Sequence, residues 1–308
     1  MTGELGEGVS YTLRLDMKNA FFGAETVGAD RSVAALDRAY LEHKVCEGVT
    51  FRLGRMPFFS LSIENDYSSI DQYFYSYTSD YVGRYLTPIN AGADLTTSMA
   101  GQSIVLQVAN GLQEGTTKEN KGTQKGENLN LALGYRGNLA NGIVKPIVSY
   151  NRFSRIRAGT EPNRDDKVNI TAYGIGSQFT YAQADLDLEY DALNKPAFTS
   201  YDTDAVKKTT SKITNLETKF SSFVAQIAYR ATEWKLRPWI KYSSDVVKSD
   251  GETVVKSARS GLGAEYRPIG KNFRYHVAFI NGQDQDITGS TTVKTTTVQY
   301  ILGAAAKM

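Results

Sequence analysis

Residues 9–18 read Val-Ser-Tyr-Thr-Leu-Arg-Leu-Asp-Met-Lys and alternate apolar with polar side chains without a break. The odd positions are all apolar, whereas the even positions carry hydroxyl groups and charges. Because successive side chains of a β-strand point to opposite faces, this stretch predicts a strand with one apolar and one polar face. An amphipathic helix would instead repeat its apolar residues every three or four positions.

The same alternation recurs along the whole chain, and helical periodicity is almost absent. With residues 9–18 it predicts an all-β chain of about fourteen strands. The other thirteen lie near 31–43, 49–54, 89–96, 104–108, 129–136, 143–153, 168–181, 184–191, 223–229, 234–242, 256–267, 273–279 and 298–308.

The connections between the predicted strands alternate between short and long. Short turns lie near 46–48, 98–101, 137–142, 182–183, 231–233 and 268–271, and long polar loops lie near 21–30, 55–87, 112–127, 154–167, 194–215, 244–255 and 283–295. Strands of about ten residues are long enough to cross a bilayer when tilted. Short turns at one end and long loops at the other are typical of outer-membrane barrels.

Aromatic residues end the apolar rows at both sides of the predicted sheet. Beside the short turns these are Tyr135, Tyr181, Tyr229, Trp234, Tyr266 and Phe273, and beside the long loops they are Tyr150, Phe153, Tyr190, Tyr242 and Phe279. Two such girdles are expected where a barrel meets the two bilayer interfaces, and a soluble β-sandwich has no reason for them. We therefore predict a closed antiparallel transmembrane β-barrel, one domain over residues 1–308, with both chain ends on the short-turn side.

The composition excludes several other classes of protein. The chain has 35 basic and 33 acidic residues, so a nucleic-acid binder driven by bulk charge is not expected. Its single cysteine, Cys46, excludes an internal disulfide and a zinc site built from cysteines. We expect neither a cofactor nor a metal.

The predicted polar faces carry many charges, which are too costly to desolvate in a dry core. They predict a water-filled interior with two stripes of opposite sign on its lumen wall. The acidic stripe is Asp185, Asp187, Glu189 and Asp191, and the basic stripe is Lys235, Arg237, Lys241, Arg259, Arg267 and Arg274. Such stripes would produce a transverse field that orients polar solutes.

The loop at 55–87 differs from the other long loops because it combines many aromatic side chains with several acids. A loop wholly in water would not be so aromatic, and long ordered loops are usually functional. We predict that it folds into the barrel and narrows the pore. The alternative is an extracellular flap or a surface for a partner.

Residues 36–111 resemble the general porins of Gram-negative outer membranes. In that family a strand with an inward arginine leads to a strand that ends in Gly-Arg, where the constriction loop opens, and a later strand ends in Asn-Gly. The matching residues here are Leu36–Leu41, Val49–Arg55, Arg84-Tyr85 and Val105–Gly111.

The resemblance implies a pore constriction between basic and acidic side chains. Arg38, Arg55 and Arg84 would form the basic side, to which the strand register adds Arg14 and Arg52. Glu64, Asp66, Asp71 and Asp80 would form the acidic side. The family also implies sixteen strands and a homotrimer in the bacterial outer membrane, in contact with lipid and lipopolysaccharide.

The sequence therefore predicts a non-enzymatic porin through which ions and small hydrophilic solutes diffuse passively. One alternative is a barrel adhesin or structural protein that works through its long loops. The other is an outer-membrane hydrolase, which could use His276 with Asp284 and Asp286 as an acid–base set.

Overall fold

The computed structural model describes residues 1–15, 36–61, 63–64, 73–86, 89–110, 112–114, 129–158, 165–204, 209–269, 273–289 and 291–306. Within them the chain forms a large β-sheet, a separate two-stranded ribbon and one short α-helix. The strands are β1 (Thr2–Gly6), β2 (Val9–Leu15), β3 (Leu36–Cys46), β4 (Val49–Pro57), β5 (Ile89–Met99), β6 (Gln102–Asn110), β7 (Leu112–Glu114), β8 (Leu129–Arg136), β9 (Val144–Ala158), β10 (Asp165–Tyr181), β11 (Ala184–Lys195), β12 (Phe198–Asp204), β13 (Thr209–Asn215), β14 (Thr218–Tyr229), β15 (Leu236–Ser249), β16 (Glu252–Ile269), β17 (Phe273–Thr288) and β18 (Thr291–Ala306), and the helix is α1 (Tyr77–Tyr85).

Fifteen strands of the large sheet pair in chain order, and each is antiparallel to the next. Fourteen of them correspond to the predicted strands. The additional one is β1, whose sequence Thr-Gly-Glu-Leu-Gly has glycine at two of five positions and no apolar alternation. The three-residue β7 pairs in parallel with β9, outside this path.

The start of the chain does not lie where we predicted it. The amino group of Met1 donates to the carbonyl of Leu13, so the first residue lies beside the middle of β2 rather than at the short-turn side. The unpredicted strand β1 causes this difference. The last strand, β18, does end on the short-turn side, at Ala306.

The second half of the sheet extends further than the alternation predicts. From β14 to β18 the strands contain 12 to 18 residues. In addition, part of the predicted loop at 194–215 forms the separate antiparallel ribbon of β12 and β13.

One face of the sheet is apolar and exposed. Its side chains include Leu302, which is 87% exposed, and many others: Leu53, Leu106, Leu133, Tyr150, Tyr173, Tyr190, Ile227, Tyr242, Leu262, Tyr266, Val277 and Tyr300. A monomeric protein in water rarely exposes so large a contiguous apolar surface. This face has the character expected of a surface in contact with lipid.

The opposite face is polar and largely buried, with Gln107, Asn130, Ser149, Asn151, Asp191, Ser222 and Lys241 among its side chains. Phe153 also lies on this face, where its ring packs 5.6 Å from that of Phe58. Its predicted place in the outer aromatic girdle is therefore wrong. Tyr150 is exposed, and residues three apart in a strand point to opposite faces.

The two edges of the sheet are β1 and β18, which share no hydrogen bonds in the described part of the chain. The sheet is therefore not closed by hydrogen bonds. No helix among the described residues is long and apolar enough to cross a membrane.

Candidate functional site

The loop that follows β4 occupies residues 58–88, and we call it the inner loop. Its described residues, 58–61, 63–64 and 73–86, lie against the polar face of the sheet. The N–H of Phe59 donates to the Gln107 side chain on β6 at 2.7 Å, and Asn151 on β9 donates to the Phe59 carbonyl at 2.6 Å. Ser149, also on β9, donates to the carbonyl of Leu61 at 2.6 Å. These side chains of the sheet thus form hydrogen bonds with backbone groups of the loop that have no partner in a neighbouring strand. Because the groups are hydrogen-bonded, they can be buried.

Three glycines of the sheet make room for apolar side chains of the inner loop. A Cβ atom at Gly134 would overlap the ring of Phe59, and a Cβ at Gly261 would lie 2.8 Å from the ring of Phe74. The three pairs are Gly134–Phe59, Gly176–Ile63 and Gly261–Phe74. The absence of a side chain at each position allows the loop to approach the wall closely.

A buried ion pair joins the inner loop to β15. Lys241 Nζ donates to Glu64 Oε1 at 2.6 Å and to the carbonyl of Phe74 at 2.7 Å. Glu64 also accepts from the hydroxyl of Ser76 at 2.6 Å and from its N–H at 3.0 Å. The N–H of Glu64 in turn donates to Glu189 on β11 at 2.8 Å. A buried charge of this kind is tolerated only when it is paired and hydrogen-bonded.

The start of helix α1 is fixed by side chains from the loop and from the wall. Ser76 is the N-cap, and its hydroxyl accepts from the N–H of Ser79. Asp245 on β15 accepts from the N–H of Tyr77 at 2.9 Å and from the hydroxyl of Ser222 at 2.5 Å. A carboxylate at this end of the helix pairs an N–H that has no intrahelical partner and complements the helix dipole.

An apolar cluster holds the other side of the helix. Val82 and Leu86 are buried with side chains from the inner loop and from β6, β8, β9, β10 and β11: Phe58, Leu61, Ala109, Ala132, Phe153, Val168, Ile170, Ala172 and Leu193. The aromatic content that suggested an inward-folding loop is thus used in packing on the polar face.

Tyr73 of the inner loop contacts the short-turn end of the sheet. Tyr73 donates to Glu265 on β16 at 3.0 Å, and its ring stacks on Trp239 with the centroids 4.4 Å apart. Burial, together with the nearby charge of Glu265, raises the pKa of Tyr73. The hydroxyl therefore stays protonated and remains a donor at neutral pH.

The residues of the predicted acidic stripe do not share one environment. Asp187, Glu189 and Asp191 are buried, and Ser79 of the inner loop lies 3.5 Å from Asp191. Asp185 is more exposed and pairs with Arg230 at 3.0 Å. Glu189 and Asp191 thus lie beneath the inner loop instead of facing an open lumen.

The predicted basic stripe is divided in the same way. Lys241 is bound to the inner loop, whereas Arg259 donates to the carbonyl of Tyr75 at 3.1 Å. Lys235 is exposed and donates to the Pro268 carbonyl at the short-turn end. The remaining members, Arg237, Arg267 and Arg274, surround Glu265.

Of the predicted basic constriction residues, Arg52 on β4 has a clear partner. Its Nε donates to Asp94 on β5 at 2.9 Å, and a second guanidinium nitrogen also bonds this carboxylate. Arg14 and Arg38 are directly opposite each other in the pairing of β2 with β3. They follow the same alternation as Arg52 and therefore belong to the polar face.

Arg55 and Arg84 are placed differently. Arg55 is paired with Ala39 and Ala91, and it lies three residues from Arg52, so the register puts it on the opposite face of β4. The backbone of Arg84 belongs to helix α1, and its side chain lies outside the described part of the structure.

Two of the four predicted acidic constriction residues lie in the described part of the chain. Glu64 is buried in the ion pair with Lys241, and Asp80 lies in the first turn of α1. Asp66 and Asp71 lie outside the described residues. Reasoning from the sequence missed Asp245, although the polar alternation of Lys241, Ser243 and Asp245 continues past the predicted end of that strand.

The acid–base set of the hydrolase alternative is not assembled. His276 and Asp284 lie on the same strand, β17, eight residues apart, which corresponds to roughly 26 Å. Asp284 instead accepts from Ser257 at 2.5 Å. In the part of the chain that the structure describes, no group of three or more His, Cys, Asp or Glu residues could hold a metal ion.

An antiparallel sheet with an exposed apolar face, and with a loop packed on its polar face, defines the class of porin-like outer-membrane β-barrel proteins. No family model and no curated protein sequence matches the chain. Its structure, however, is similar to several solved outer-membrane proteins. The outer membrane channel DcaP of Acinetobacter baumannii aligns with a TM-score of 0.61 at 13% identity, over 97% of this chain and 80% of that one.

OmpT of Vibrio cholerae, an outer membrane protein folded in vitro, aligns with a TM-score of 0.60 at 10% identity, over 98% of this chain and 84% of that one. OmpF of Salmonella typhi gives 0.55 at 17% identity, over 91% and 80% of the two chains. The chain therefore has the porin fold, and the predicted resemblance is confirmed at the level of the fold.

Proposed function

We propose that the protein is a bacterial outer-membrane channel through which ions and small hydrophilic solutes diffuse passively, without a cofactor or an enzymatic step. The observation that supports this most directly is the division of the sheet into two faces. One presents exposed apolar side chains such as Leu302 and Tyr300, and the other carries polar and charged ones. Only a barrel around water gives both faces a suitable solvent.

The proposal includes closure of the sheet into a barrel. The path from β1 to β18 contains fifteen strands, both edges included, and each is antiparallel to the next. The two edge strands therefore run in the same direction. A closure that is antiparallel throughout needs an even number of strands. Without the short β1, which the alternation does not predict, the fourteen remaining strands would meet this condition.

The proposed constriction lies between the inner loop and the polar face of β2–β4. Contacts with the wall from Gln107 on β6 to Glu265 on β16 support this position, because they hold the loop over the polar face. Arg14, Arg38 and Arg52 would line the opposite side of the narrowed passage. Their guanidinium groups stay charged at any physiological pH.

The proposed orientation places the short turns in the periplasm and the long loops outside the cell, as in other outer-membrane barrels. The outer face would contact lipid and, in the outer leaflet, lipopolysaccharide. The exposed aromatic residues Tyr181, Tyr229 and Trp234, close to the short turns, support a membrane interface at that end.

Single-channel recording of the refolded protein in a planar lipid bilayer tests the proposed function. We expect stable current steps that are proportional to voltage, in KCl, with no substrate or energy source. A protein that inserts into the bilayer with its full β-sheet circular dichroism signal but passes no current would overturn the proposal and favour an adhesin. Turnover of a lipid or peptide without conductance would favour a hydrolase.

A further inference from the structure

Three arginines surround one carboxylate on the polar face, close to the short-turn ends of β15, β16 and β17. Glu265 Oε1 accepts from Tyr73 at 3.0 Å and from Arg274 Nη1 at 3.1 Å. Its Oε2 accepts from Arg267 Nε at 3.0 Å. Arg237 Nη1 lies 3.7 Å from Oε2, close enough for an ion pair but too far for a hydrogen bond.

The charges of this cluster do not cancel, because three guanidinium groups face one carboxylate. The buried members are Glu265 and Arg274, whose side chains are 1% and 7% exposed, whereas the side chains of Arg237 and Arg267 are 19% and 29% exposed. The part of the cluster that water and solutes can reach is therefore positive. Glu265 is paired with Arg237 on β15 and with His276 on β17. Within the described residues, neither the Arg237 guanidinium nor His276 Nδ1 has a hydrogen-bond partner.

The cluster is held in place by aromatic side chains. The ring of Tyr73 stacks on Trp239 with an interplanar angle of 18° and meets the ring of His276 edge-on, with the centroids 5.6 Å apart. Its hydroxyl donates to the same carboxylate that orients Arg267 and Arg274. Such packing and hydrogen bonding pre-organise the guanidinium groups, which lowers the entropy lost on binding.

We propose that Arg237 and Arg267 form a binding site for the oxyanion group of a small solute, a carboxylate or a phosphate, near the short-turn mouth of the channel. The planar guanidinium of Arg237 can donate two parallel hydrogen bonds, which match the geometry of both groups, and Arg267, whose Nε and Nη2 bond Glu265, adds its Nη1. Glu265 holds the arginines at a fixed separation without neutralising them. The site suggests which class of solute the proposed channel would take, and the role of the site in transport rests on that proposed function.

Inorganic phosphate is the probe, added to protein refolded in a phosphate-free maltoside detergent. Binding is measured by the broadening of the phosphate ³¹P resonance, at a constant ionic strength set with KCl. The variant pair R237Q/R267Q removes the two exposed guanidinium groups and leaves Arg274 to pair with Glu265. The matched control is R230Q, which removes an exposed arginine at the same end of the sheet, where it pairs with Asp185.

We expect saturable broadening in the unsubstituted protein and in R230Q, and at least a fivefold weaker effect in R237Q/R267Q. Absence of broadening in the unsubstituted protein, or equal broadening in R237Q/R267Q, would overturn the site. Circular dichroism must show that the double variant is folded. If it is not folded, R237K is the second variant and is measured in its place. The assay needs no conductance, so a protein that binds phosphate but passes no current would refute the channel and leave the site standing.

Discussion

Lys241 Nζ on β15 donates a hydrogen bond of 2.6 Å to Glu64 Oε1 in the inner loop, and each side chain is only 2% exposed. The two residues are 177 positions apart in sequence. This contact fixes the loop to β15, which lies eight strand positions along the sheet from β4, where the loop starts.

Replacement of Lys241 by Met should therefore release the inner loop. The substitution would leave Glu64 buried and unpaired, close to Glu189, which typically costs about 3–5 kcal/mol. We expect higher single-channel conductance, and rapid cleavage of the inner loop by an added protease. K248M is the matched control, because Lys248 is exposed on the same strand. Unchanged conductance and unchanged protease resistance in K241M would show that the ion pair does not hold the loop.

Gly261→Val should displace the inner loop by a purely steric route. The new side chain would overlap the ring of Phe74, which lies 2.8 Å from the position of a Cβ atom. Forcing extra atoms into a packed contact typically costs about 1–3 kcal/mol. We expect a lower thermal midpoint and increased hydrogen exchange in the loop around Phe74. Gly282→Val is the control, because the nearest atom to its Cβ would be the flexible Arg259 side chain at 3.5 Å. Equal stability losses in the two variants would contradict a specific loop contact.

Much of the fold could be predicted from the sequence because the alternation that identifies a strand depends only on the residues of that strand. All fourteen predicted strands are present, and the strand that was missed, β1, is the one in which glycines interrupt the alternation. The lengths of strands β14 to β18 were underestimated because polar residues such as Ser243 and Asp245 are typical of loops. Apolar residues beyond them, such as Val247, continue the strand.

The site was harder to predict, because it depends on which segment covers which part of the wall. The sequence of Asp187, Glu189 and Asp191 is the same whether the stripe faces water or the inner loop, and only the fold shows that Glu189 and Asp191 contact the loop. Nothing in the sequence indicates that the glycines at 134, 176 and 261 face apolar side chains of the inner loop. Their partners, Phe59, Ile63 and Phe74, are distant in sequence.

The pair of Arg52 and Asp94 should influence ion selectivity. Asp94 accepts from the guanidinium of Arg52, so it reduces the positive charge on the wall where the proposed constriction lies. Asp94→Asn removes the negative charge but keeps an acceptor oxygen. We expect the reversal potential in a KCl gradient to shift toward anion preference, since only charges within a Debye length of about 8 Å act on a passing ion. D250N, in an exposed turn, should leave it unchanged. An unchanged reversal potential in D94N would place this pair away from the ion path.

The proposed orientation can be tested with the single cysteine of the chain. Cys46 is exposed beside the short turn between β3 and β4, whereas Thr203 lies near the tip of the ribbon of β12 and β13 in a long loop. With short turns in the periplasm, a membrane-impermeant maleimide added to intact cells should leave Cys46 unlabelled. In a C46S background, T203C should be labelled under the same conditions, because long loops of outer-membrane barrels face the exterior. Both cysteines should react once the outer membrane is permeabilised, which serves as the control for reactivity. Labelling of Cys46 but not of T203C in intact cells would reverse the proposed orientation.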